Sequence, residues 1–478
     1  MLTIPQEEIQ GIIERVRLRL SGSAAVPMAA AVPPAEPGDG IYPTIERAVG
    51  AAWAAFVSYR TMGLKQRHRI IDAVRCEMRE RAGALAQMAH EETGLGRTED
   101  KKLKNMLVTA KTPGPEDLEP QVWSGDRGLT LTEYAPFGVI GAITPTTNPT
   151  ATIINNTIAA VSAGNAVVFN AHPKAKAVSV QNIRWINRAI VEAGGPPDLV
   201  TAVPEPTIES AQRLMRHPRV RLLLVTGGPG VVEEARKTPK RSILAGPGNP
   251  PVVVDETADI ALAGHEIVRG ASFDNNLICT DEKEVFVVAK VADRLLQAMA
   301  ASGAYVLAEH ELKRLERTIF TDLGEGERPG HVDPRWIGQN AGAILAEIGV
   351  RADGDIRLAV ADVPVEHSLV WTEQMMPVLP VVRVPDVDAA ITLAIRAERG
   401  CGHTASIYSS DVNAITRMAR EIDVSIFVAN AANLAGLGDG GEGYSSFSNA
   451  SPTGEGLTRP RSFSRVRRMT VAGGLRIV

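Results

Sequence analysis

The chain has 478 residues, is 44% hydrophobic, carries a formal net charge of -4 and holds three cysteines. That length suits two or three domains with cores of their own, and Cys76, Cys279 and Cys401 show no C-x-x-C spacing, which argues against a disulfide framework or a zinc site and fits a reducing cytoplasm. The near-neutral balance offers no basic stripe for nucleic acid, and no apolar run approaches the roughly 20 residues of a membrane-spanning helix, so a small-molecule partner is expected.

Residues 1–20 differ in kind from the rest. Ile9, Ile12, Ile13, Val16 and Leu20 fall on one helical stripe, with Glu7 and Glu8 in the first turn, Arg15, Arg17 and Arg19 near the end, and Gly22 as a stop. Acids and arginines threaded through the stretch argue against a secretory leader, so it reads as an amphipathic docking helix. Residues 21–40, rich in Ala, Pro and Gly, read as a flexible tether.

Helical patterns over 45–90 lead into an alternation of strand and helix. "VIGAIT", a helix after Pro149, "AVVFN", a helix over 175–192, "LVTAV", a helix through Ser210 to Met215 and "RLLLVTGG" predict right-handed βαβ units and a Rossmann-like parallel sheet. A second α/β run over 262–430 offers strands at "EVFVVA", "VLPVVRV", "TASIYS" and "VSIFVA".

Two glycine-rich stretches compete for an anion. "GLGDGG" fits G-x-G-x-x-G, but Tyr444 to Pro452 after it has no helical period, so it reads as a loop. "VTGGPGVVEEARK" runs from a strand through Gly227, Gly228 and Gly230 into a helix expected near Val231, where free N–H groups favour an anion. The residues alone leave a phosphate turn and a packing turn both open.

Cysteines are usually inert small hydrophobes, and Cys76 and Cys401 read so. Cys279 follows the polar, turn-prone Asp274, Asn275 and Asn276 and precedes a strand, which sets its thiol within reach of a substrate. A thiolate both forms and releases a thioester, so acyl transfer is a coherent role.

"ITPTTNP" (143–149), "VTGGPGVV" (225–232), "AGPGNPPVVVD" (245–255), "NNLICTDEK" (275–283), "TEQMMPVLPV" (372–381) and "PTGEGLTRPRSFSR" (452–465) occur in the order found in the aldehyde dehydrogenase superfamily. More narrowly, the chain resembles the CoA-acylating propionaldehyde and acetaldehyde dehydrogenases of bacterial microcompartments over about residues 40–478. The resemblance implies an α/β, aldehyde dehydrogenase-like fold: a tethered helix (1–20, linker 21–40), a Rossmann-type NAD-binding domain with an early part of the oligomerisation segment (41–261), an α/β catalytic domain (262–440) and a C-terminal oligomerisation segment (441–478).

It implies Cys279 as the nucleophile toward a short-chain aldehyde and NAD as hydride acceptor. Asn148 resembles the asparagine that, with the Cys279 N–H, holds the developing oxyanion, a donor typically worth ~2.7–4 kcal/mol. Asn148 lies directly before Pro149, whereas hydrolytic relatives place the asparagine two residues before the proline; Thr147 holds that position here, and a helix-capping role for Asn148 stays open. Thr226, Gly227 and Gly228 match the family's pyrophosphate turn and Glu373 its ribose-binding acid; Pro145, Thr146 and Thr147, with His172 and Pro173, fall where cofactor contacts are expected. His403, in "CGHTAS", is given no catalytic role.

Hydrolytic members carry a water-activating glutamate near the position of Ala245; here Ala245, Gly246, Pro247 and Gly248 offer no base. Coenzyme A, a better nucleophile than water near neutral pH, is therefore the expected acyl acceptor, with room for its pantetheine arm left by the small residues. The expected setting is cytoplasmic, inside a microcompartment, with a shell protein bound through residues 1–20, a homo-oligomer, and neither nucleic acid nor membrane as partner. A hydrolytic or phosphorylating aldehyde dehydrogenase and a non-catalytic assembly component are the alternatives.

Overall fold

The computed structural model describes residues 39–351 and 354–478. The docking helix expected over residues 1–20, and all but the end of the linker expected over 21–40, lie outside the described residues.

Two parallel sheets form the body. The first runs, in spatial order, Val200–Ala202, Ala166–Asn170, Val139–Ile143, Val220–Thr226 and Arg241–Ala245. Val139–Ile143 and Ala166–Asn170 are buried along their whole length, as continuous apolar runs require when helices cover both faces of a sheet. From Val139–Ile143 the chain first builds outward on one side and then returns to build the other. The sheet therefore has a switch point between Val139–Ile143 and Val220–Thr226, where the two following loops part and leave a crevice.

The second sheet runs Ala304–Val306, Leu358–Asp362, Val378–Val384, Glu284–Val288, Pro251–Val254, Thr404–Tyr408 and Ile426–Ala429, again all parallel. Each sheet has its own apolar cluster. A division at residue 261 does not follow the sheets, because Pro251–Val254 already pairs with Glu284–Val288 in the second one. Alternating apolar runs mark strands but not the sheet they join, and the chain crosses between layers over residues 246–250.

An arm of three antiparallel strands, Gln121–Gly125, Gly128–Pro136 and Ser464–Ala472, joins an early segment to the C-terminal one. It leaves Val122, Trp123, Val466 and Met469 exposed.

Candidate active site

The loops after three strands of the first sheet meet the turn before Glu284–Val288 at a cleft of about 520 Å³. Pro145, Thr146, Thr147 and Asn148 line it from the first loop, His172 and Pro173 from the second, and Thr226, Gly227 and Gly228 from the third. Cys279 and Glu373 line it from the other sheet.

On the first-sheet side the walls are built to leave space. Gly227 N–H donates to the Ala245 carbonyl at 3.2 Å, which ties the turn to the neighbouring strand. Gly228 caps the helix Pro229–Arg236, and a Cβ placed on it would meet nothing within 4 Å. The helix begins at Pro229, slightly earlier than the apolar pattern suggests, because proline suits the first helical turn. Thr144 Oγ1 and Thr146 Oγ1 are buried without a hydrogen-bond partner among the described residues. An open glycine, a helix N-terminus and orphaned hydroxyls together fit a dinucleotide with an anionic pyrophosphate. No helix follows Gly441 in the competing glycine stretch.

The Cys279 side is built differently. Asp274, Asn275 and Asn276, which read as a polar loop, are buried and all have positive φ, at 45°, 57° and 64°. Asp and Asn enter that region more readily than other side chains, but three in succession need surrounding contacts to hold them. Here Asn275 Nδ2 donates to the Gly338 carbonyl at 2.8 Å, and Asn276 Nδ2 donates to the carbonyls of Ala271 and Glu282 at 2.8 and 2.9 Å. Lys283 Nζ reaches back to the carbonyls of Asn276 and Ile278 at 3.0 and 3.3 Å. Asp281, Glu282, Lys283 and Glu284 are all fully buried, so the loop stands on a dense polar base. Burial raises all three carboxyls, Glu282 to about 7.

Cys279 is half-buried at the cleft. Burial first, then the nearby Glu373 carboxylate, push its thiol up to about 12. The resting sulfur is therefore protonated at neutral pH. Glu373 is raised too, by burial, although it accepts from the Gly248 N–H.

Asn148 precedes the helix Pro149–Ser162, but its side chain makes no capping bond. Its Oδ1 accepts from Lys104 Nζ at 2.6 Å and its Nδ2 donates to Thr147 Oγ1 at 3.2 Å. The amide is thus oriented by a buried cation rather than by the helix end.

Ala245 ends its strand buried, and no carboxylate occupies Gly246 to Gly248. The space at Gly248 is filled by protein: a Cβ there would lie 2.8 Å from His403 Cγ and 3.1 Å from the Cys279 carbonyl oxygen. His403 is therefore a close neighbour of the Cys279 backbone. It is fully buried, its Nδ1 lies 2.9 Å from Thr404 Oγ1, and its Nε2 has no partner among the described residues. Burial, with Lys283 adding to it, lowers its pKa to about 4, so the ring is neutral. Its one signal in the sequence is its place directly before the core strand Thr404–Tyr408. A second cleft of about 970 Å³, lined by Cys401 and Glu398, shares Gly246 and Pro247 with the first.

A protein-family model described as the aldehyde dehydrogenase family matches residues 36–315 and 358–458. The chain is 46% identical to the acetylating acetaldehyde dehydrogenase EutE of Escherichia coli K12, over 99% of this chain and all of that protein. It is similar in structure to Rhodopseudomonas palustris propionaldehyde dehydrogenase, solved with CoA bound and a cysteine acylated, with TM-score 0.89, 45% identity and coverage of 92% of this chain and 100% of that one. A propionaldehyde dehydrogenase from the fucose-utilisation microcompartment of Clostridium phytofermentans gives TM-score 0.89 at 42% identity, covering 92% of this chain and 100% of that one. With a cleft that brings the Thr226–Gly228 turn to a single cysteine, and with these relatives matched nearly end to end, the chain belongs to the aldehyde dehydrogenase family.

Proposed function

We propose that the protein oxidises a short-chain aldehyde, of the acetaldehyde or propionaldehyde class, to its acyl-CoA with NAD. The observation that carries this reading is that Cys279, Asn148 and the Thr226–Gly228 turn line one cleft while Ala245 to Gly248 supply no base for water.

The Cys279 thiol gives up its proton to solvent, and the thiolate adds to the aldehyde carbon. The negative charge that develops on oxygen is received by Asn148 Nδ2 and the Cys279 backbone N–H. Collapse of this thiohemiacetal expels hydride and leaves a thioester on Cys279. NAD held by Thr226, Gly227, Gly228 and Glu373, with Pro145 to Thr147, His172 and Pro173 beside it, supplies the hydride acceptor. The thiol of coenzyme A then attacks the thioester carbon and the Cys279 thiolate leaves. The proton of the attacking thiol passes to solvent.

The five-stranded sheet serves as the NAD-binding layer and the seven-stranded one as the catalytic layer. The apolar residues exposed on the three-stranded arm support a homo-oligomer. The microcompartment origin of a close structural relative supports docking of residues 1–20 on a shell protein. Product analysis over short aldehydes tests the chemistry: acyl-CoA is expected, whereas free acid or acyl phosphate as the main product contradicts it. No NADH with any short aldehyde favours an assembly component. Fusing residues 1–20 to a fluorescent protein is expected to carry it into shells, and a diffuse signal contradicts the docking role.

A further inference from the structure

The helix Thr98–Lys111 contributes no residue to the cleft, yet its inner face carries charges that a helix normally keeps in water. Lys101 and Lys104 are each only 2% exposed, and both reach the same carboxylate oxygen, Asp274 Oδ2, with Lys101 Nζ at 3.0 Å. Asp274 opens the strained run that leads to Cys279. Its other oxygen accepts the Arg97 N–H at 2.7 Å, and its own N–H donates to Asp100 at 3.0 Å. The room for this cluster comes from Gly96, where a Cβ would lie 2.0 Å from Asp274 Oδ1.

Lys104 does one thing more: its ammonium donates to Asn148 Oδ1 at 2.6 Å. Next to it, Asn105 accepts from Thr150 Oγ1 at 2.8 Å, which fastens the first turn of the helix that follows Asn148. One buried ammonium therefore joins the two parts that receive the developing oxyanion, the Asn148 amide and the loop bearing the Cys279 N–H. An amide whose oxygen is held by a cation turns its NH₂ the other way. Only one of those two hydrogens is directed to Thr147. A charged partner on the oxygen also polarises the amide, which strengthens the remaining N–H as a donor.

We propose that Lys104 is a positioning residue for the reaction: it holds and polarises the Asn148 amide so that an Nδ2 hydrogen meets the aldehyde oxygen as charge develops there. This rests on the oxyanion role given to Asn148 above.

The test is a double-mutant cycle with Lys104→Met and Asn148→Ala, read in kcat with aldehyde, NAD and coenzyme A saturating, and in KM for NAD. Asn148→Ala is expected to lower kcat about 10²- to 10³-fold, as for other oxyanion donors. Lys104→Met is expected to lower it about 10- to 100-fold, as when the partner that orients a reacting group is lost, and to leave KM for NAD unchanged. In the double variant Lys104→Met adds nothing to Asn148→Ala, because it acts only through that amide. Asp274 retains Lys101 and the Arg97 N–H, so a native melting transition is expected. Lys104→Gln, which keeps a donor without the charge, recovers part of the loss. If Asn148→Ala keeps wild-type kcat, the oxyanion reading itself falls and the proposal with it. A near wild-type Lys104→Met beside an impaired Asn148→Ala overturns the proposal alone. Multiplicative losses in the double variant, or no recovery with Gln, also overturn it.

Discussion

Two glycine stretches border the same cleft and use the space of their missing side chains in opposite ways. At Gly228 a Cβ would meet nothing within 4 Å, so the space is open at the cleft. At Gly248 a Cβ would strike His403 and the Cys279 carbonyl, so the space is already filled by the protein. The difference extends to the surroundings. The Thr226–Gly228 turn stands on an apolar sheet and works through backbone and emptiness, while the Cys279 loop stands on four buried charged residues and three positive-φ ones. A site that only binds needs room; a site that must hold a sulfur beside developing charge needs fixed polar groups, which are stable in a core only when well partnered.

The largest effect is expected from Cys279→Ala. It is expected to abolish NADH formation, while Cys76→Ala and Cys401→Ala stay near wild type; a folded, active Cys279 variant contradicts the covalent route. Gly248→Ala comes next. The methyl has to displace His403 or the nucleophile's own loop, and a shift of about 1 Å at a reacting group costs on the order of 100-fold in rate. Its melting temperature should fall as well, and unchanged kcat and melting would show that the Gly248 side is not tightly packed.

An intermediate effect is expected on the thiol. With its pKa raised to about 12, the free enzyme's Cys279 is protonated at neutral pH and its thiolate fraction grows as pH rises. Iodoacetamide labelling should therefore be slow near neutrality and climb throughout the alkaline range. A plateau near neutral pH would mean that the polar base already ionises the sulfur. The smallest change is predicted for Gly228→Ala: a native melt, kcat nearly unchanged and KM for NAD raised several-fold, because only the ligand's space is taken. A large loss of stability there would erase the contrast with Gly248.

The two regions also differed in how far they could be read in advance. The first sheet was legible because buried parallel strands are unbroken apolar runs separated by helical periods, and the Gly227–Gly228 turn sits where strand gives way to helix. The polar base of the Cys279 loop was not. Asp274 to Asn276 look like a solvated turn until partners far along the chain, such as the Arg97 N–H on Asp274, account for their burial, and nothing local marks Asp281 to Glu284 as buried. His403 and Lys104 were missed for the same reason: a lone histidine and a lysine in a charged helix carry no local sign of what they face. The boundary expected at residue 261 failed because strand order within a sheet is set by crossovers that periodicity does not report.

Rapid mixing of enzyme with NAD and a short aldehyde, with and without coenzyme A, reads directly what the acyl group on Cys279 does next. Without coenzyme A, NADH should appear in a single burst equal to the enzyme sites and then stop, with the acyl group found on Cys279 by intact-mass measurement; adding coenzyme A should restart steady turnover and release acyl-CoA. Steady NADH formation and free acid in the absence of coenzyme A, at a rate similar to that in its presence, would contradict the account.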